Sequence, residues 1–204
     1  MIIGMCGLKG SGKNTVANII KKNYPNWTDA SFAKALKDGV AVLFGLDRAL
    51  LEGDTLESRE WREKPNEFWC EKFGSLDVTP RKILQVFGTD LIRNTFLTNF
   101  WVDRLELDIK NLDEGKNIII TDVRFPNEVE MIKKHGGQIW HVHCGELPEW
   151  FTKYQSTGEV PPVEIHESEW RWAKSIPDVI IHPPYKDINL LEKLVKEEYE
   201  KQFK

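Results

Sequence analysis

The sequence predicts a three-layer α/β fold, in which helices cover both faces of a parallel β-sheet. Short apolar segments alternate along the chain with segments of helical pattern. Each short segment is apolar throughout, which is typical of strands buried on both faces. A glycine-rich turn at residues 7–13 joins the first apolar segment to the first helical one, as at the phosphate-binding edge of many such sheets.

Strands and helices can be assigned in order along the chain. The predicted strands are residues 1–6, 117–121, 138–142 and 178–181. The predicted helices are residues 15–22, 33–44, 79–94, 99–112 and 126–135, and a C-terminal helix with Ile188, Leu191, Val195 and Tyr199 along one face. Thr79 and Pro80 suit the N-cap and the first turn of their helix.

Two segments have no regular pattern. Residues 47–75 are charged and contain tryptophan, and we assign no element to them. Residues 145–162 contain Pro148, Gly158, Pro161 and Pro162, which predicts an irregular, mobile segment. We expect one domain over residues 1–204, with a helical region inserted at about residues 33–112.

The composition is that of an ordinary globular chain of 204 residues, with a net charge of −4 and three cysteines that lack C-x-x-C spacing. This charge argues against a dedicated duplex-DNA-binding protein, and the cysteines suit a reducing compartment. We recognise no signal peptide and no apolar segment long enough to span a membrane, so we expect a cytoplasmic location. Six lysines but one acid, Asp29, lie in residues 1–37. This cluster suits a polyphosphate ligand, with chance clustering on a solvated surface as the alternative.

Residues 7–13, Gly-Leu-Lys-Gly-Ser-Gly-Lys, fit the P-loop pattern G-x-x-x-x-G-K. Glycines allow backbone N–H groups to surround phosphates, and Lys13 can reach the β- and γ-phosphates of a nucleoside triphosphate. The fold class is therefore predicted to be of the P-loop NTPase type. A glycine turn without a ligand is the alternative, but it leaves Lys13 unexplained. The predicted ATP-binding residues are Gly7, Lys9, Gly10, Ser11, Gly12, Lys13, Asn14 and Thr15.

The residue after Lys13 departs from the usual motif, because Asn14 stands where Ser or Thr normally binds magnesium. The ending Gly-Lys-Asn-Thr resembles the Gly-Lys-Gly-Thr of nucleoside monophosphate kinases. In that arrangement the Thr hydroxyl serves the phosphates, and the metal can be held largely through water. We therefore expect Asn14 and Thr15 to contribute to a Mg²⁺ site through water.

A second constellation lies on the helix that begins at Thr79. Arg81, Gln85 and Gly88 are spaced four and three residues apart and so share one helix face. Arg81 could hold a phosphate, Gln85 could reach a base edge, and Gly88 could admit a flat group. The opposite, core-facing side is predicted to carry Ile83, Leu84, Val86, Phe87 and Leu91. Pro-Arg-x-x-x-Gln is also the spacing by which adenylate kinases hold their acceptor monophosphate, although a solvated face is the alternative.

The strand at residues 117–121 is followed by Asp122, as a Walker B strand ends in an acid, and then by Arg124. Asp122 is expected to face Mg²⁺ or its water shell at the carboxyl edge of the sheet. Arg124 could bridge donor and acceptor phosphates, because phosphoryl transfer depends mainly on positioning and positive charge. A structural salt bridge between the two side chains is the alternative. The predicted catalytic residues are Lys13, Asp122 and Arg124.

Five motifs together resemble the phage-type deoxynucleoside monophosphate kinases. They are Gly-x-Lys-x-Ser-Gly-Lys-Asn-Thr-Val-Ala at 7–17, Ser-Phe-Ala-x-x-Leu-Lys at 31–37, Arg-x-x-x-Gln-x-x-Gly-Thr-Asp at 81–90, Thr-Asp-Val-Arg-Phe-x-Asn-Glu at 121–128 and His-x-Ser-Glu at 166–169. Members of that family usually carry Asp at the position of Asn14. His166, Ser168 and Glu169 match the family, but we assign them no role, and a helix start would also account for them.

The resemblance implies transfer of phosphate from ATP to a deoxynucleoside monophosphate, with Mg²⁺. The predicted acceptor-binding residues are Lys37, Arg81, Gln85, Gly88, Asp90 and Arg124. The expected partners are small nucleotides, with no nucleic acid and no membrane. A homodimer is possible, and the location is the host cytoplasm if the chain is phage-encoded. The alternatives are a kinase of another small acceptor, such as a dephospho-coenzyme A kinase, and an ATP-binding switch.

Overall fold

A computed structural model describes residues 1–112, 115–184 and 187–203 of the chain. The strands are β1 Ile2–Cys6, β2 Trp27–Ala30, β3 Asn117–Ile120, β4 Gln138–Val142 and β5 Val179–Ile181. The α-helices are α1 Lys13–Asn23, α2 Lys34–Phe44, α3 Leu56–Glu63, α4 Glu67–Phe73, α5 Pro80–Gln85, α6 Phe100–Lys110, α7 Pro126–Lys134, α8 Glu149–Thr157 and α9 Ile188–Phe203. A π-helix, Val86–Phe96, continues α5, and two short 3₁₀ turns are formed by Glu167–Glu169 and Arg171–Lys174.

The sheet is parallel, and its strand order is β2-β3-β1-β4-β5. The central strand β1 therefore has β3 on one side and β4 on the other. In register, Gly4 lies beside Ile120 of β3, and Cys6 lies beside His141 of β4. Because parallel strands end at one edge, the segments that follow β1, β2, β3 and β4 all meet there.

One face of the sheet packs against α1 and α9. Ile3, Met5, Trp140 and Val142 are fully buried in this layer, together with Val16, Ile20 and Val195 from the two helices. Burial of such a side chain contributes on the order of 2 kcal/mol. On the other face, Gly4 allows close approach of α7, because a Cβ at this position would lie 2.4 Å from Cδ1 of Ile132.

The contacts divide the chain into two compact units, residues 1–31 with 106–204, and residues 32–105. The second unit has a hydrophobic core of its own, formed by Val40, Leu46, Leu51, Val78 and Ile83. Residues 33–105 of this unit lie within the region 33–112 for which an insertion was predicted, and the insertion remains a prediction.

The predicted strands are confirmed to within about one residue at each end. The sequence did not reveal β2, which is four residues long and includes Asp29. Since β2 lies at the edge of the sheet, only Trp27 is buried in it, and a continuous apolar pattern is not required.

The helix predicted at residues 79–94 begins as expected. The Thr79 side chain accepts a hydrogen bond of 3.1 Å from the backbone N–H of Lys82, and Pro80 is in the first turn. After Gln85 the helix changes to π geometry. A π-helix has more residues per turn, so the α-helical spacing used for prediction no longer returns side chains to the same face. Val86 and Leu91, predicted to face the core, are 40% and 49% exposed.

Two other segments contain helices that the sequence did not reveal. Residues 47–75 include α3 and α4, which begin at the capping residues Thr55 and Asn66. The prediction of irregular structure at residues 145–162 was wrong for α8, because Phe151 and Tyr154 give it a buried side. The predicted mobility of this segment remains a prediction. Within the described ranges, the structure has no helix of sufficient length and apolar character to span a membrane.

Candidate active site

The loop between β1 and α1 has the backbone geometry of a phosphate-binding turn. Gly10 and Gly12 adopt φ angles of 80° and 93°, which side chains with a Cβ rarely tolerate. The backbone N–H of Ser11 donates a hydrogen bond of 3.1 Å to the carbonyl oxygen of Leu8. Gly7 has no room for a side chain, because a Cβ there would lie 2.3 Å from the carbonyl oxygen of Val142. These glycines therefore allow the loop to curve tightly at the end of β1.

The N-terminus of α1 presents positive potential at this loop. Within the described part of the chain, no side chain caps this helix at Gly12, and its first turn contains no acid. The first N–H groups of a helix lack partners inside the helix, and its macrodipole is positive at this end. The loop and the helix together are therefore suited to bind an anion.

Lys13, the first residue of α1, turns back over the loop. Its Nζ donates hydrogen bonds to the carbonyl oxygens of Gly7 at 2.8 Å and Leu8 at 3.0 Å. Burial, reinforced by repulsion from Arg124, lowers the pKa of Lys13 to about 7, although Glu169 and Asp122 oppose this shift. An anionic ligand would favour the protonated form of this amine.

Asp122 lies just beyond the end of β3, beside the P-loop strand. Its Oδ2 accepts a hydrogen bond of 2.8 Å from the hydroxyl of Ser31, which follows the neighbouring strand β2. The strand order thus brings a carboxylate and a hydroxyl group to the same edge of the sheet as Lys13. Ser31 is the first residue of the motif at 31–37, but its local sequence gave no sign of this contact.

Arg124 is held by acidic side chains at both its backbone and its guanidinium. Its backbone N–H donates a hydrogen bond of 2.6 Å to the buried carboxylate of Glu128, and its Nη1 donates one of 2.9 Å to Glu169. Burial would lower the pKa of Arg124, but Glu169, followed by Asp122 and Glu128, raises it above its usual value. Arg124 is therefore a permanent cation at this site.

The predicted ATP-binding residues follow one another around the loop with different exposures. Gly7 and Ser11 are buried, Gly12, Lys13 and Thr15 are partly buried, and Lys9, Gly10 and Asn14 are exposed. The first unit thus contains the P-loop, Asp122 and Arg124, which are the predicted donor-binding and catalytic residues. It also contains two acids that the sequence analysis left without a role, Glu128 and Glu169, although both belong to motifs that it quoted.

The predicted acceptor-binding residues other than Arg124 lie in the second unit. Nε of Arg81 donates a hydrogen bond of 2.7 Å to Glu63, and Nζ of Lys37 donates one of 2.6 Å to Glu52. Gln85 is partly buried, and Asp90 is exposed. The roles of Lys37, Arg81, Gln85 and Asp90 in acceptor binding remain predictions.

Gly88, which was predicted to admit a flat group, lies at a contact with another helix. It is buried, and a Cβ there would lie 2.5 Å from Cδ2 of Leu36 in α2. Its part in acceptor binding remains a prediction. Its carbonyl oxygen accepts a hydrogen bond of 2.8 Å from Nε1 of Trp101. The change to π geometry after Gln85 accounts for this position. In this structure, Gly88 allows close packing of two helices.

Comparisons with known proteins point to one family. The sequence model of the family described as "Deoxynucleotide monophosphate kinase" matches residues 67–150. A putative deoxynucleotide monophosphate kinase of Acanthamoeba polyphaga mimivirus is 35% identical over 151 residues, which cover 68% of this chain and 72% of that protein. The deoxynucleoside-5'-monophosphate kinase of Escherichia phage T5 is 29% identical over 181 residues, with 66% and 72% covered.

Solved structures are similar at a lower level. TT1252 from Thermus thermophilus has 16% identity and a TM-score of 0.49, with 100% of this chain and 98% of that chain covered. The dephospho-CoA kinase from Campylobacter jejuni has 13% identity and a TM-score of 0.47, with 98% and 96% covered. At this level of similarity they indicate nothing about the substrate.

Proposed function

The chain belongs to the deoxynucleotide monophosphate kinase family, and from this premise we propose how its residues carry out the reaction. The γ-phosphoryl group of ATP is transferred to a phosphate oxygen of a deoxynucleoside monophosphate. The bond between the β,γ-bridging oxygen and the γ-phosphorus breaks, a bond from the acceptor oxygen to that phosphorus forms, and the products are ADP and a deoxynucleoside diphosphate. The acceptor phosphate is already an anion, so the reaction needs positioning and positive charge more than a strong base.

The observation that carries this proposal is the group of positive features at the carboxyl edge of the sheet. The P-loop and the N-terminus of α1 would bind the phosphates of ATP, and Lys13 would leave the carbonyl oxygens of Gly7 and Leu8 to contact the β- and γ-phosphates. Arg124 would stabilise the charge on the transferred phosphoryl group between donor and acceptor. Each of these contacts is strongest where negative charge develops, which is the requirement for catalysis.

The residues at this edge also fit a magnesium ion. Mg²⁺ in phosphoryl-transfer sites is bound by oxygen ligands, usually one or two carboxylates together with water and substrate phosphates. Asp122 would supply a carboxylate, and its hydrogen bond from Ser31, which follows the neighbouring strand, supports a place for it at the strand edge. Asn14 and Thr15 supply further oxygen atoms that would act through water. When bound with ATP, the metal neutralises phosphate charge.

The acceptor would be held by the second unit. Arg81 would exchange its contact with Glu63 for the acceptor phosphate, and Lys37 would add a second positive charge. Gln85 would hydrogen bond to the base. Asp90 is the remaining proposed acceptor-binding side chain. Gly88 would contribute by allowing close packing against α2.

An initial-rate panel tests the proposed function. ATP-dependent formation of ADP is measured with each natural deoxynucleoside and ribonucleoside monophosphate, and with no acceptor. We expect ADP to form only when an accepted deoxynucleoside monophosphate is present, together with its diphosphate in equal amount. ADP formation that does not depend on a monophosphate would indicate an ATPase or a switch instead.

We also propose that free nucleotides in the cytoplasm are the working partners, without nucleic acid. Light scattering after size-exclusion chromatography would measure whether the chain is the homodimer that the sequence allows. A single species with the mass of one chain, 23.7 kDa, would contradict the dimer.

A further inference from the structure

Glu169 makes a direct ion pair with the proposed catalytic arginine. Nη1 of Arg124 donates hydrogen bonds to Oε2 of Glu169 at 2.9 Å and to the carbonyl oxygen of Ser168 at 3.3 Å. The side chain of Glu169 is 17% exposed and that of Arg124 is 26% exposed. A charge-assisted contact that is shielded from water in this way holds its partners much better than a surface ion pair does.

The turn that carries Glu169 is fixed by its neighbours. Nδ1 of His166 accepts a hydrogen bond of 3.3 Å from the backbone N–H of Ser168 and lies 2.9 Å from its hydroxyl. Nε1 of the fully buried Trp172 donates a hydrogen bond of 2.9 Å to the carbonyl oxygen of Glu169. Nε1 of Trp170 donates a hydrogen bond of 3.1 Å to the carbonyl oxygen of Ile165. The Glu169 carboxylate therefore extends from a well-anchored short segment.

We propose that Glu169 is a positioning residue for phosphoryl transfer, which holds the guanidinium of Arg124 in place for the reacting phosphates. Glu128 fixes the backbone of Arg124, and Glu169 fixes the far end of the same side chain, so a long and flexible side chain is held at both ends. Arg124 contacts Ser168 and Glu169 through the same nitrogen, Nη1. Because a guanidinium has five N–H donors, a restrained Arg124 still has donors for a phosphate oxygen. This inference rests on the proposed function of Arg124.

The negative charge of the Glu169 carboxylate would also repel the phosphates of bound ATP. A neutral replacement should therefore loosen Arg124 without weakening the binding of ATP in the ground state. A residue that only maintained the fold would instead weaken both.

The test compares Glu169→Gln with the parent. We expect kcat to fall about 10-fold to 100-fold, because a displaced catalytic group has effects of this size, while the Kd for ATP measured by calorimetry near pH 6.5 stays equal or becomes tighter. Glu169→Asp restores the charge on a shorter side chain and should recover part of kcat. Glu167→Gln is the matched control, since Glu167 lies in the same turn but pairs with Arg171, at 3.5 Å. It should leave kcat and Kd unchanged.

A double-mutant cycle shows whether Glu169 acts through Arg124. In an Arg124→Ala background, Glu169→Gln should cause little further loss of kcat, because the side chain that it positions is gone. An active parent in which Glu169→Gln leaves kcat unchanged, weakens ATP binding, or reduces kcat equally in both backgrounds would overturn this inference alone. A parent that binds ATP but forms no ADP with any monophosphate would overturn the proposed function and, with it, this inference.

Discussion

The side-chain amine of Lys13 donates a hydrogen bond of 2.8 Å to the carbonyl oxygen of Gly7, at the opposite end of the same loop. The lysine bonds to carbonyl oxygens of its own loop. When phosphates bind, they would replace these carbonyl oxygens as its partners. These contacts give a partly buried amine hydrogen-bond partners within its own loop.

Replacement of Lys13 by methionine should reduce kcat by about 10³-fold or more, because comparable cationic contacts to the transferred phosphoryl group have effects of this size. The variant keeps an unbranched side chain only one heavy atom shorter, so the thermal unfolding midpoint should stay close to that of the parent. Lys22→Met, an exposed position on the same helix α1, is the control and should retain full activity. Normal turnover in a folded Lys13→Met protein would remove the P-loop from the mechanism.

Binding of ATP should be coupled to proton uptake by Lys13. With a pKa of about 7 in the free protein, this amine is mostly neutral at pH 8, and the phosphates of ATP favour its protonated form. We expect a larger proton uptake at pH 8 than at pH 6, where the amine is already mostly protonated. Calorimetry in buffers with different ionisation enthalpies measures this uptake, with Lys13→Met as the reference. The same uptake in that variant would assign the proton to another group.

Arg81→Ala should raise the KM for the monophosphate much more than the KM for ATP, since one phosphate contact of the acceptor is lost. Gln85→Ala should change the ranking among bases more than the overall rate. Lys72→Ala removes an exposed lysine of the same unit that pairs with Glu71, and it serves as the control. Equal changes in the KM values for ATP and acceptor would show that this helix is not the acceptor site.

Asn14 lies exposed beside Lys13 in the first turn of α1. If it holds a water molecule bound to Mg²⁺, Asn14→Asp should keep or raise activity, because a carboxylate is a better partner for that water. Asn14→Ala should raise the magnesium concentration needed for half-maximal rate. Identical magnesium titrations for the parent and both variants would exclude a role for this side chain.

The stability of the fold should decrease in mild acid because of His141 and His143. Burial, reinforced by neighbouring positive charge, lowers the pKa of each to about 4 from an ordinary value of 6.5. Between these values the unfolded chain binds more protons than the folded one, so the free energy of unfolding falls as the pH decreases from about 6.5 to 4. Each histidine contributes on the order of a few kcal/mol to this loss.

Urea unfolding at pH 7 and pH 5 measures this effect. His141→Asn should make the stability less dependent on pH, since the buried titrating ring is absent. His135→Asn changes a histidine whose side chain is 40% exposed and should leave the dependence closer to that of the parent. An unchanged dependence in His141→Asn would attribute the acid sensitivity to other groups.

Local sequence patterns determined much of the sheet and the phosphate loop. The strands β1, β3 and β4 could be predicted because most of their residues are apolar and buried. The edge strand β5 is also apolar, although Ile180 is exposed. The P-loop could be predicted because its glycines and Lys13 are close in sequence and act within one turn. Asp122 and Arg124 could be selected because ligands bind where parallel strands end.

The tertiary structure alone decided which distant groups meet. Ser31 and Asp122 are 91 residues apart, and Arg124 and Glu169 are 45 residues apart, yet each pair forms a direct hydrogen bond. Spacing along the chain contains no information on such pairs, because they depend on strand order and on the path of the connecting segments. The position of Gly88 was decided in the same way, by the π geometry that follows Gln85 and by the packing of Leu36 against it.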